Sequence, residues 1–253
     1  MSKFINELKL VSQVGPPPMG FRAAPAPPKP RMLLVATLAE ANIEGLADYM
    51  AGADAGIVLI HKLSSGAKTM HKVSQAMPAI PWGSWLKDIS GEGVKPLAEA
   101  GGDFIVFPAE TPLAVLQESE VGKILEVGAS LNEGLVKTID DLPVDAVLIS
   151  GEPEKENLLT WRHLMLFRRG AELVTKPLLA SVPSSVGSSE LQALWATGVV
   201  GVVVNSPPQG RIPQLRQIID KLVFPLPSKR KKVEPLIPRI AAETGTAPEE
   251  EEE

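Results

Sequence analysis

Apolar residues come along this chain in short unbroken runs rather than in strict alternation. Eight runs stand out: MLLVAT from Met32, GIVLIH from Gly56, AIPWGS from Ala79, DFIVFP from Asp103, KILEVG from Lys123, DAVLIS from Asp145, PLLASV from Pro177 and VGVVVN from Val200. Continuous runs of this kind, many of them β-branched, predict strands covered on both faces, as a parallel sheet requires. They recur every roughly 20 to 32 residues, near the beat of a (β/α)8 barrel of ~250 residues.

The stretches between them read as helices. EANIEGLADYMAGA places Ile43, Leu46, Ala47 and Met50 on one face, and NLLTWRHLMLFRRGAELV does the same with Leu158, Trp161, Leu164 and Met165, leaving Arg162, Arg168 and Arg169 for other faces. SSELQALWATG opens on serines suited to capping and closes on a glycine. LADYMAGADAGIVLI, LAEAGGDFIVF and LQALWATGVVGVVVN share one order: helix, glycine, short link, buried strand. The glycine in each permits the left-handed turn that stops a helix. This loose repetition predicts an α/β fold, a single (β/α)8 TIM barrel over residues 31–224. A doubly wound open sheet is the alternative; its dinucleotide-binding form requires G-x-G-x-x-G after the first strand, and VATLAEANIEG offers none.

Composition changes the picture mainly by exclusion. Residues 1–30 form a Pro-rich N-terminal extension, VGPPPMGFRAAPAPPKP, in which proline forbids a helix interior or a central strand. Residues 225–253 carry a basic cluster, KRKK, then a glutamate run, and the expectation is a disordered, solvated tail. The 253 residues are 44% hydrophobic and 22% charged, with a net charge of −5, which argues against a general nucleic-acid-binding surface. The absence of cysteine excludes disulfides and thiolate chemistry. No apolar run reaches the ~20 residues of a membrane span, and MSKFINELKL lacks a secretory core, so a soluble cytoplasmic protein is expected.

Strand direction then sorts the polar residues, because barrel sites form where strands end. Asp103 opens the fourth strand and should be scaffold, whereas Glu110 follows it and is a candidate for chemistry. The same rule brings Thr37, His61, Lys62, Trp82, Trp85, Ser150, Glu152, Ser181, Ser184, Ser185, Asn205 and Ser206 to the C-terminal face. Glu126 alternates with Ile124 and Gly128 and should point into the barrel, where an acid requires a cation or solvent; Lys62 is the candidate partner. Lys62, Glu110 and Glu126 together suit proton abstraction, with a structural ion pair as the alternative. Trp82 and Trp85 either stack on a planar ligand such as a flavin or roof the barrel. His61, His71 and His163 match no metal-binding pair, the sixth run has no Schiff-base lysine, and G-x-S-x-G is absent.

The clearest ligand signal is SVPSSVGSSELQALWATGVVGVVVNS, a Ser/Gly-rich loop before a helix start, followed by the eighth strand. Free N–H groups at a helix start attract anions. Here the chain resembles the aldolase-type, phosphate-binding TIM barrels, over Arg31 to about Leu222 in pattern. The resemblance implies a phosphate held by Ser185, Gly187, Ser188 and Ser189, with Asn205 and Arg211 nearby, and FMN as a cofactor; an ordinary capped helix is the alternative at this loop. The chain departs from that group in having one glycine in PSSVGSS and paired prolines in NSPPQGR, which donate no N–H. The expected function is binding of a small anionic, phosphorylated ligand or flavin at the C-terminal face, with lyase, isomerase or oxidoreductase chemistry. The alternative is a non-catalytic barrel serving as a scaffold or partner-binding module.

Overall fold

A computed structural model describes residues 2–12, 31–38, 45–87, 93–116, 120–128, 132–151 and 158–224. The Pro-rich stretch through Pro30, Glu152 and the basic and acidic runs beyond Phe224 lie outside the described residues. Eight strands close into one barrel in sequence order, every neighbouring pair parallel and β1 hydrogen-bonded to β8. They are β1 Leu33–Leu38, β2 Ala55–Ile60, β3 Trp82–Leu86, β4 Phe104–Pro108, β5 Gly122–Gly128, β6 Ala146–Ser150, β7 Leu178–Val182 and β8 Gly201–Val204. The expected TIM barrel is the observed fold, and the open sheet is excluded. Gly52, Gly101 and Gly198 stand at φ 85°, 97° and 102°, so all three repeated segments do end their helices on a left-handed glycine.

Among the described residues there are eight α-helices: α1 Lys3–Ser12, α2 Leu46–Met50, α3 Leu63–Ala76, α4 Lys95–Glu99, α5 Glu133–Lys137, α6 Trp161–Leu173, α7 Ser188–Thr197 and α8 Arg211–Lys221. Side chains divide by parity between two cores. Leu33, Val35, Ile57, Trp85, Val106, Ile124, Leu148 and Val203 fill the barrel interior. Leu34, Val58, Trp82, Ile105, Val147 and Val202 pack outward against the helices.

The first helix was not anticipated. Phe4, Ile5 and Leu8, each at most 3% exposed, join the interior core, so α1 closes the barrel floor. Asp103, just ahead of β4, holds it there: its carboxylate accepts from the Ser2 hydroxyl (2.7 Å), the Lys3 N–H (2.8 Å) and the Phe4 N–H (3.0 Å). This is an N-cap supplied from another element. Asp145, ahead of β6, accepts from the Lys123 N–H and pairs with Lys9 of α1. Asp54, ahead of β2, takes the Leu34 N–H and the Arg31 and Arg216 guanidinium groups. Burial nonetheless holds the Asp54 carboxyl above the ordinary carboxylate range, against the lowering effect of those partners.

Helix α6 corrects a second expectation. Leu158, Trp161 and Met165 are 51%, 82% and 71% exposed, while Phe167, Gly170 and Ala171 face the sheet. A Cβ on Gly170 would lie 2.3 Å from the Ile149 side chain, so the glycine marks where α6 comes closest to the barrel. Of the face proposed from sequence, Leu164 packs against the core.

Candidate functional site

The mouth of the barrel holds a cleft of ≈ 550 Å³ above β3 to β6. Lys87, Glu110, Glu126, Asn132 and Ser150 supply its polar lining, and Leu86, Pro108 and Leu135 part of its apolar lining. Such a volume lies within the ~300–1,000 Å³ typical of small-molecule sites. Glu126 is the central group. Its strand parity places it inside, beside Pro108 and Leu148 in the sheet register, and its side chain is 14% exposed.

Two donors fix its carboxylate. The Trp85 indole N–H donates to Oε2 at 2.6 Å, and the Lys87 ammonium lies 3.6 Å from Oε1. Lys87 Nζ also sits 3.8 Å from the centroid of the Trp85 ring. Trp85, Glu126 and Lys87 therefore form one unit, in which a half-buried acid is met by an N–H and a nearby cation. Glu110 lines the same cleft from the turn after β4 and is exposed. Asn132 caps α5 by accepting from the Gly134 N–H.

The partner of Glu126 is thus Lys87, where the sequence had suggested Lys62. Lys62 is an exposed residue at the start of α3, two positions beyond Ile60 and on the outward parity of β2. It does not line the cleft. Lys87 was missed because β3 starts three residues and ends two residues beyond the expected run, at Trp82 and Leu86. That shift sets Gly83, Trp85 and Lys87 on the inward parity. Trp82 faces outward: it is 1% exposed, lies over Gly56 and donates its indole N–H to the Met77 carbonyl. It offers no stacking face to the mouth.

The β7–β8–β1 side of the mouth carries a neutral network. Asn205 Nδ2 donates to the Ser181 hydroxyl at 2.7 Å, and the Ser206 N–H donates to Thr37 Oγ1 at 2.7 Å. Ser206 takes φ 39°, a left-handed conformation rare outside glycine and here held by that bond. The Tyr49 hydroxyl donates to the Thr37 carbonyl at 2.9 Å, and burial pushes its pKa up to about 12.

At the start of α7 the chain uses its own groups. The Gly187 N–H donates to Glu190 Oε2 at 2.6 Å, so a carboxylate from the same helix meets that donor. Arg211 donates to the carbonyls of Ser184 (2.5 Å) and Val186 (2.8 Å), bracing the loop. Pro207 and Pro208 contribute no N–H. Ser185, Ser188 and Ser189 are exposed. With Gly187 and Arg211 so engaged, the arrangement does not fit the phosphate cradle implied by the family resemblance. A flavin fits poorly too, since Trp82 is buried outside the barrel and Lys87 covers Trp85. Among the described residues no group of three or more His, Asp or Glu side chains could hold a metal ion, and no helix is long and apolar enough to cross a membrane.

No protein-family model and no curated protein matches this chain. Solved structures do. A mutant tryptophan synthase alpha-subunit from Pyrococcus furiosus superposes with a TM-score of 0.56 at 12% identity, over 76% of this chain and 97% of that one. Mycobacterium tuberculosis tryptophan synthase gives 0.56 at 15% identity, over 77% and 93%. A protein from Aquifex aeolicus VF5 gives 0.54 at 14% identity, over 79% and 95%. At such identities the likeness establishes the barrel fold.

Proposed function

We propose that this barrel binds a small anionic ligand in the cleft above β3 to β6 and transfers a proton there through Glu126, as a lyase or isomerase would. The observation that carries this reading is the Glu126 carboxylate, largely removed from water, fixed by Trp85 and Lys87 and opening onto the cleft. A fixed carboxylate at the base of a cleft is the geometry of a general acid–base group. Trp85 positions it. Lys87, 37% exposed at the side chain, can turn from Glu126 toward a ligand anion. Glu110 and Ser150 are the remaining polar contacts from strand ends. Phosphorylated compounds are the first class to test, in keeping with the resemblance to phosphate-binding barrels; Gly187 and Arg211 leave Lys87 as the anchor for the phosphate.

The test is a thermal-shift screen of phosphosugars, nucleotides, flavin mononucleotide and simple carboxylates, followed by titration calorimetry. A stabilising compound should lose affinity in Lys87→Met and keep it in Lys62→Met. Glu126→Gln should abolish turnover while retaining binding. Failure of every compound to shift the wild-type protein would reject the reading.

A second reading, a non-catalytic barrel that docks a partner, is favoured by the outward face of α6. Trp161 and Met165 belong to the residue types enriched at interfaces, and both are exposed. It predicts concentration-dependent association that Trp161→Asp removes, with ligand binding at the mouth unchanged.

A further inference from the structure

A second cavity lies on the flank of the barrel, between the outer face of β5 to β7 and helices α5 and α6. It encloses ≈ 160 Å³ and is walled by aliphatic side chains, among them Val127, Val147, Ile149, Leu166 and Leu178. Its origin is local. Helix α5 has only five residues and covers a short stretch of the β5–β6 surface, and the cavity opens beside the point where α6 touches the sheet at Gly170. Apolar cavities of ~150 Å³ take up benzene-sized molecules.

The rim is charged. Arg169 lines the cavity and donates through Nε to Glu133 Oε1 (3.0 Å) and through Nη2 to Oε2 (2.5 Å), a bidentate fork, while its Nη1 lies 3.6 Å from Glu172 Oε2. The two side chains are 47% and 60% exposed, and an ion pair that exposed contributes little to folding. A ligand carboxylate can therefore replace Glu133 on the guanidinium at small expense, provided its body gains the apolar burial that Glu133 cannot. One cation beside aliphatic walls selects a monoanion with a compact apolar body.

We propose that this flank cavity is a binding site for small monocarboxylates with an aromatic or branched aliphatic body. The carboxylate exchanges with Glu133 on Arg169, and the body enters between α6 and β5–β6. The site is separate from the cleft at the barrel mouth and does not depend on the function proposed there.

The test uses the full chain with methyl-labelled valine, leucine and isoleucine, titrated with benzoate and with its neutral counterpart benzyl alcohol. Benzoate should shift the Val147, Ile149 and Leu178 methyl signals saturably, and bind about two- to fivefold tighter than benzyl alcohol, the ratio that a partly exposed ion pair implies. Arg169→Gln should erase that difference. Glu133→Gln, which removes the nearer of the two carboxylates on Arg169, should tighten benzoate several-fold. Glu126→Gln should leave it unaltered. Three results would overturn the proposal: no saturable shift at these methyls, equal binding of the two probes by the wild type, or a benzoate preference that survives Arg169→Gln.

Discussion

Trp85→Phe takes the indole N–H from the mouth and leaves one ring in place of two, and a double-mutant cycle with Glu126 isolates the contact. Trp85 is 3% exposed and its N–H reaches Glu126 Oε2 at 2.6 Å. A hydrogen bond to a charged group contributes ~1.5–3 kcal/mol, and a side chain as enclosed as Glu126 has little water with which to replace it. Trp85→Phe should thus lower stability by about 2 to 3 kcal/mol, or very roughly 4–12 °C in melting temperature for a domain of this size. Glu126→Leu strands the indole N–H in an apolar interior, at a cost of ~1–3 kcal/mol. The double variant leaves neither group unpaired, and apolar replacement of a buried polar pair is often neutral or stabilising. Urea denaturation of the four proteins should therefore yield a coupling of about 1.5–3 kcal/mol. Additivity within ~0.5 kcal/mol would refute the contact as an energetic unit. A double variant as stable as the wild type, yet blind to a ligand the wild type binds, is the signature of a site kept at the expense of stability.

Three further outcomes follow from the same geometry. Tyr49 is the only tyrosine, so phenolate absorbance reports it alone; its midpoint should fall near about 12 in the folded protein, and drop to the ordinary value of about 10 on denaturation. Because the folded value is raised, the stability Tyr49 contributes is intact below about 10 and is lost as pH climbs through about 12, a loss that Tyr49→Phe should not show. Asp103→Ala deprives Ser2, Lys3 and Phe4 of their acceptor and should destabilise by about 1–3 kcal/mol, with hydrogen exchange rising first in α1. Phe4→Ala, at a side chain of 0% exposure whose ring lies 4.6 Å from the Phe104 ring at a tilt of 31°, should lose roughly 3–5 kcal/mol by denaturant melt; a loss below ~1 kcal/mol would show that α1 is not docked as described.

The barrel was legible because its signal is coarse. Each strand buried on both faces must be an unbroken apolar run, and each helix stop needing a left-handed residue shows a glycine. The sorting of Asp103 from Glu110 needed only strand direction, and the two do stand at opposite ends of β4. Parity was harder. The expected third run ended at Ser84, two residues short, which hid Lys87; Trp82, taken for a strand end, opens β3 and faces outward, because a strand's side chains alternate and nothing local marks the starting phase. On α6 the large apolar residues misled, since close approach to the sheet selects small ones: Gly170 and Ala171 mark the contact face and Trp161 does not. α1 was missed because its apolar residues, Phe4, Ile5 and Leu8, make a stripe barely more than a turn long whose partner is the closed barrel floor, assembled from six or more separate strands.

That floor has one more implication. With Phe4, Ile5 and Leu8 corking the lower end, the cleft that reaches Glu126 opens, among the described residues, at the upper end. On the function proposed above, a guest would come and go past Lys87 and Leu135 at that doorway, so these side chains would set how long it stays as well as whether it is admitted. Shaving the doorway should quicken departure, whereas loosening the cork should open a back exit.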